Sequence, residues 1–108
     1  MVTPPNLAVG RALKALGRNI GLARRRRGLS QADLASRMSV SVSTVRRLED
    51  GHPGTALTYL ASALQVFGDL EKLNLLLDTQ TDSVGLALMD AALPSRIYRK
   101  RRTAPKAF

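Results

Sequence analysis

Residues 29–51 read LSQADLASRMSVSVSTVRRLEDG, and this stretch decides the fold. Ser30, followed at three residues by Asp33, is a relative of the capping box and opens a helix through Met38 with Leu34, Ala35 and Met38 on its apolar face. Ser39-Val40-Ser41 interrupts it, Ser41 is placed to cap a further helix over 42–50, and Gly51 stops that helix. Two short helices joined by a three-residue turn describe a helix-turn-helix, whose second helix is built to enter a major groove. The steric demands of that geometry are met one by one. Ala35 is small where the helices approach, Val40 plugs the core from the turn, and Val45 and Leu48 keep one face of the second helix apolar. Val42, Ser43, Arg46 and Arg47 are left to point outward.

Working outward, Leu13, Leu16, Ile20 and Ala23 recur at helical spacing, which predicts a preceding helix from about Leu7 or Arg11 to Arg26, stopped by Gly28. Downstream, Thr55 is placed to cap a helix carrying Leu57, Leu60, Ala61, Leu64 and Phe67 on one stripe. Gly68 ends it, and Asp69 opens a fifth helix with Leu70, Leu73, Leu76 and Leu77. A short apolar segment, 84–93, follows and stops at Pro94. No segment reads as a strand. The expectation is an all-α chain: a five-helix DNA-binding domain over 7–78, a dimerisation or partner segment over 79–95, and a basic tail over 96–108.

Charge and composition narrow the partner. The 108 residues carry 17 Lys and Arg against 8 Asp and Glu, a net of +9. Residues 1–50 hold a net of +7, residues 51–95 a net of −4, and residues 96–108 six bases and no acid. Such asymmetry points to a polyanion for the two ends and to a different task for the middle. With no cysteine and one histidine, a disulfide framework and a thiolate zinc site are excluded, and no metal or cofactor is expected. Apolar runs of three to four residues fall far short of the ~18 that a bilayer span needs. No basic region leads into an apolar stretch at the N-terminus, so no signal peptide is expected and the expected location is cytoplasmic. Only 4% of residues are aromatic and none is Trp, which argues against stacking on single strands. No nucleophile elbow, P-loop or dinucleotide fingerprint occurs, and no enzyme activity is expected.

Leu29-Ser30-Gln31-Ala32-Asp33-Leu34-Ala35, on through Val45-Arg46-Arg47-Leu48-Glu49-Asp50-Gly51, resembles the Xre/Cro and phage-repressor helix-turn-helix family, the resemblance running over about Leu13 to Phe67. It implies a lambda-repressor-like fold and sequence-specific binding to double-stranded DNA. The resemblance assigns Gln31 to capping the second helix and contacting a phosphate. It assigns Val42, Ser43 and Arg47 to reading bases, and Ser41 or Thr44 to holding the DNA backbone. Arg47 suits that role, since a guanidinium donates two hydrogen bonds to guanine. Arg46 is exposed beside it and joins the DNA-binding set. Arg24 falls on the inward face with Ile20, and the resemblance matches Arg24 and Glu49 to a structural pair linking the first and third helices. A second, shorter stretch, Asp82-Ser83-Val84-Gly85-Leu86-Ala87-Leu88 and then Leu93-Pro94-Ser95-Arg96, resembles the extension of HipB-type antitoxins, which partner a HipA-type kinase toxin.

Other conspicuous features have plainer readings. Helical spacing spreads Arg24 to Arg27 over most of the helix circumference, so the four cannot share one partner; Arg25 and Arg26 suit a solvated helix end. Gly17 and Gly21 at i, i+4 read as close helix packing, and His52, between Gly51 and Pro53, as a loop residue. The 84–93 segment is apolar on two sides, Val84, Ala87, Leu88 and Ala91 on one and Leu86, Met89 and Leu93 on the other, and so wants two partners. The resulting expectation is a homodimeric repressor on a palindromic operator, serving as antitoxin and autoregulator of a HipA-type kinase. The alternatives are a stand-alone Xre-type regulator, or a toxin-binding module with only weak DNA binding.

Overall fold

A computed structural model describes residues 6–92. Asn6 starts the first helix, α1 (Leu7–Arg26), by accepting a hydrogen bond from the Val9 N–H at 2.9 Å. Then come α2 (Gln31–Met38), α3 (Val42–Glu49), α4 (Leu57–Phe67), the five-residue α5 (Leu70–Asn74) and α6 (Ser83–Ala91); the described residues contain no strand. The chain divides between Leu73 and Asn74 into two compact units.

In the first unit α1 to α4 all end the same way. The chain turns into a left-handed residue, Gly28, Ser39, Gly51 or Gly68, and the next N–H reaches back five residues, as from Val40 to the Ala35 carbonyl at 2.9 Å and from His52 to Arg47 at 3.0 Å. Three of the four are the glycines that such a backbone favours; Ser39, at φ 58°, is the exception. The helices close on Ile20, Leu34, Ala35, Met38, Val45, Leu48, Ala63 and Phe67, with Leu34 and Val45 fully buried. Val40 packs against this core from the turn between α2 and α3. α1 crosses the end of α3 at backbone distance: a Cβ on Gly17 would collide with the main chain of Glu49 and Gly51, and one on Gly51 (φ 70°) with that of Leu13. Arg27 ties α1 to α4, donating to the Phe67 carbonyl at 3.2 Å and lying over the Phe67 ring at 4.9 Å, with the Asp69 carboxylate 3.8 Å away.

Several expectations are corrected here. Thr55 does not cap α4; the cap position is Ala56, which offers no side-chain bond. The buried stripe of α4 is rotated to Ala63 and Phe67, with Leu60 packed against them, and Leu57 is 70% exposed. On α1 Leu16 is 39% exposed because Gly17 takes the close approach beside it. The fifth helix stops at Asn74, short of the run Leu75 to Leu77, and all three of those leucines are exposed instead of joining a core.

The second unit opens with a hydrogen-bonded turn. Asp78 accepts the Gln80 N–H on its carboxylate at 3.0 Å and the Thr81 N–H on its carbonyl at 2.8 Å, and the Thr81 hydroxyl donates to the Leu75 carbonyl at 3.1 Å. Asp82 caps α6 through the Gly85 N–H at 2.9 Å. No described residue of this unit is buried. Leu93 and the basic tail lie outside the described residues.

Candidate nucleic-acid interface

The α2–turn–α3 segment is held by caps at both helix starts. Ser30 and Asp33 exchange bonds in a full capping box, the Ser30 hydroxyl accepting from the Asp33 N–H at 3.0 Å and the Asp33 carboxylate accepting from the Ser30 N–H at 2.9 Å. Those two bonds to Ser30, backbone N–H first, hold the Asp33 carboxyl below its ordinary range, with a smaller contribution from the Arg37 charge. At α3 the Ser41 hydroxyl accepts from the Thr44 N–H at 3.2 Å and lies 3.1 Å from the Thr44 hydroxyl.

α3 then presents two faces. Val45 and Leu48 are buried; Ser43, Arg46 and Arg47 are exposed. Val42 departs from the expectation of an outward side chain: it is half-buried and packs against the core, because the first turn of α3 leans on the bundle. Thr44 is also half-buried.

A polar clamp fixes the orientation of α3. Arg24, only 7% exposed, donates from Nε to Glu49 Oε2 at 2.6 Å and from Nη2 to Glu49 Oε1 at 3.1 Å, while its Nη1 reaches the Leu29 carbonyl at 2.9 Å. Gln31 completes the clamp by donating from Nε2 to Glu49 Oε1 at 3.1 Å. One carboxylate thus ties α1, the loop after it, α2 and α3. Gln31 is therefore not the cap of α2, since Ser30 holds that position; Gln31 is the first helical residue, with one amide proton committed to Glu49.

Between α3 and α4 lies a notch of about 170 Å³, lined by Thr44, Arg47, Gly54, Thr55, Ala56 and Tyr59. His52 shapes its loop by accepting from the Gly54 N–H on Nδ1 at 2.9 Å and from the Thr55 N–H on its carbonyl at 3.1 Å. The Thr55 hydroxyl oxygen is buried against the notch without a hydrogen-bond partner among the described residues. The first N–H groups of α4 have no side-chain cap, so this end presents backbone donors and the positive end of a helix dipole beside Arg47. The notch escaped the sequence reading because Thr55 before an apolar periodic run is an ordinary capping signal; the missing cap was not legible.

Ser43, Arg46 and Arg47 lie together on the exposed face of α3, with Ser41 and Thr44 at its start; Gln31 sits at the start of α2. Val84, Leu86, Leu88 and Met89 are in the second unit, on α6. Among the described residues no three His, Cys, Asp or Glu side chains gather as metal ligands, and no helix is long and apolar enough to cross a membrane. A family model described as a helix-turn-helix domain matches residues 15–73, more than half of the chain and ending where the first unit ends. Comparison with curated proteins and with solved structures gives no match.

Proposed function

Because the chain belongs to the helix-turn-helix domain family, we propose that it is a sequence-specific, dimeric DNA-binding repressor of the Xre/Cro type that reads an operator with α3. One observation carries the reading: Ser43, Arg46 and Arg47 stand exposed on a helix whose opposite face is buried in the core and whose last residue is clamped by Arg24. A helix fixed in this way loses little freedom on docking, so its contacts favour one register in the groove. Arg47 donates to a guanine edge, Ser43 accepts or donates to a neighbouring base, and Arg46 meets phosphate or a second base. Ser41, Thr44 and the remaining amide groups of Gln31 hold the DNA backbone. Val42, half-buried, is left a small apolar contact such as a thymine methyl. A phosphate oxygen at the notch would give the Thr55 hydroxyl and the uncapped α4 donors their partner.

In this reading residues 7–78 form the DNA-binding domain, 79–95 carry the partner surface through Val84, Leu86, Leu88, Met89 and Leu93, and 96–108 add charge for phosphate. Two copies place their α3 helices about 34 Å apart on a palindromic site. A finer reading, antitoxin and autoregulator of a HipA-type kinase toxin, rests on the resemblance of Asp82 to Leu88; a stand-alone regulator is the alternative. Selection from a random duplex library tests the function. Enriched sequences should contain inverted half-sites one helical turn apart, and binding should weaken roughly 10³–10⁵-fold between 50 and 200 mM salt if six to ten phosphates are contacted. A library that enriches nothing removes the sequence-specific reading. Co-purification with the product of an adjacent kinase-like gene decides between antitoxin and stand-alone regulator.

A further inference from the structure

The helix-turn-helix match begins at residue 15, so the first two turns of α1 stand outside the family's domain, and so does the second unit. These two additions have complementary chemistry. The start of α1 and the α3–α4 loop enclose a groove of about 280 Å³ floored by Leu7, Leu13 and Pro53, with Arg11 and Lys14 on its rim. The groove continues past Leu13 and Pro53 to Leu57. Leu7 and Leu57 are each 70% exposed, a large apolar area for a unit whose other helices bury their stripes. Neither Arg11 nor Lys14 makes an ion pair among the described residues. An occupant that fits therefore brings aliphatic side chains flanked by carboxylates.

The chain itself carries such a segment. Residues 74–92 contain six leucine or valine residues, three aspartates and no base, and none of them is buried. Val84 and Leu88, one helical turn apart on α6, are 69% and 65% exposed. A nine-residue helix with no buried face is marginal in water, so α6 gains its stability from what covers it. Packing α6 on its own counterpart would bring Asp82 and Asp90 of both copies together with no cation between them. Arg11 and Lys14 remove that conflict.

Resting on the dimeric reading above, we propose that the groove formed by Leu7, Leu13 and Pro53 takes α6 of a second copy. Val84 and Leu88 enter the apolar floor and Asp90 meets the Arg11 and Lys14 rim. Each copy gives one helix and receives one, which closes a twofold dimer. The exchange also sets the partner helix against Pro53, next to the loop that joins α3 to α4.

Absence of native cysteine makes the test clean. Full-length Leu7→Cys and Leu88→Cys chains, one of them isotope-labelled, are mixed and treated with a short bismaleimide, and the products are weighed by mass spectrometry. Both positions are exposed, so neither variant threatens the fold. The proposal expects the mixed-label dimer as the main product, and expects Arg11→Glu with Lys14→Glu to raise the dimer dissociation constant by at least about tenfold. Like-with-like links through Leu88→Cys would overturn it in favour of a symmetric α6 seam. An intrachain link in a monomeric double-cysteine chain would overturn it in favour of closure within one copy. Chains that sediment as dimers and select an operator yet give no mixed product remove this inference alone. Chains that stay monomeric on and off DNA remove the dimeric reading with it.

Discussion

The two units use the same local signals and reach opposite outcomes. Ser30 and Ser41 start helices in the first unit as Asp82 starts α6 in the second, each by accepting a backbone N–H three residues on. Leucines recur at helical spacing in both. Yet Leu34 and Leu48 are buried, while Leu88 and Leu76 stand 65% and 66% exposed. Caps and periodicity therefore decide where helices run. Burial is decided by whether a second element arrives to cover the stripe, as α3 and α4 do for α2. In the second unit the described chain brings no such element, and its apolar side chains are left for a partner.

The sharpest way to break the comparison is at Glu49. Glu49→Gln keeps the shape of the clamp but leaves the buried Arg24 cation without its counter-charge. Stability of the first unit should fall by about 3–5 kcal/mol, a large share of the roughly 5–15 kcal/mol that a domain possesses, measurable by urea unfolding. A loss under 1 kcal/mol would mean that the pair behaves as an exposed one.

Leu34→Ala and Leu88→Ala set equivalent chemistry in the two units side by side. The first opens a cavity in a closed core and should cost about 2–5 kcal/mol. The second should leave the unfolding midpoint of a dilute, dissociated chain within about 0.5 kcal/mol of the parent. Equal losses at the two sites would show that α6 is buried in the isolated chain and would erase the contrast.

Much of this was legible beforehand because caps and stops are local. Ser30 with Asp33, Ser41, Gly28, Gly51 and Gly68 each announce a helix end within four residues, and the helix-turn-helix followed from their spacing. What was not legible depends on long-range approach. The rotation of the α4 stripe away from Leu57, the exposure of Leu16 beside Gly17, and the exposure of Leu75 to Leu77 depend on which element arrives, and periodicity carries no record of that. Arg27 is the clearest case. It reads as one of four consecutive arginines, yet it spends its guanidinium on the Phe67 carbonyl and ring. The Gln31 bond to Glu49 was equally hidden, since the two residues are 18 apart in sequence.

A smaller effect sharpens the comparison within the first unit. Ser39 is the one left-handed helix end among α1 to α4 that is not glycine. Ser39→Gly should stabilise by up to about 1 kcal/mol, with less of the gain if the added chain freedom of the unfolded state offsets it. A destabilised Ser39→Gly chain would mean that the serine side chain supports the turn.

Smallest is the acid response of the capping box. The folded pKa of Asp33 lies below its unfolded value of about 3.9. The box therefore contributes in full above that value, and its contribution is lost as pH falls through the depressed folded pKa. Asp33→Asn should flatten the acid limb of the stability profile and leave a lower plateau at neutral pH. An Asp33 carboxyl that titrates at the ordinary value by NMR would contradict the box.

The central claim is that the exposed face of α3 reads DNA sequence while its buried face and clamp only hold it in place. Competition anisotropy between a selected operator duplex and a scrambled duplex, for the parent chain and for Arg46→Ala with Arg47→Ala, tests it directly. The account predicts a preference of at least about 10³-fold for the operator in the parent chain, loss of that preference in the double variant, and an unchanged thermal midpoint. A double variant that still prefers the operator, or a parent chain that binds both duplexes alike, would contradict it.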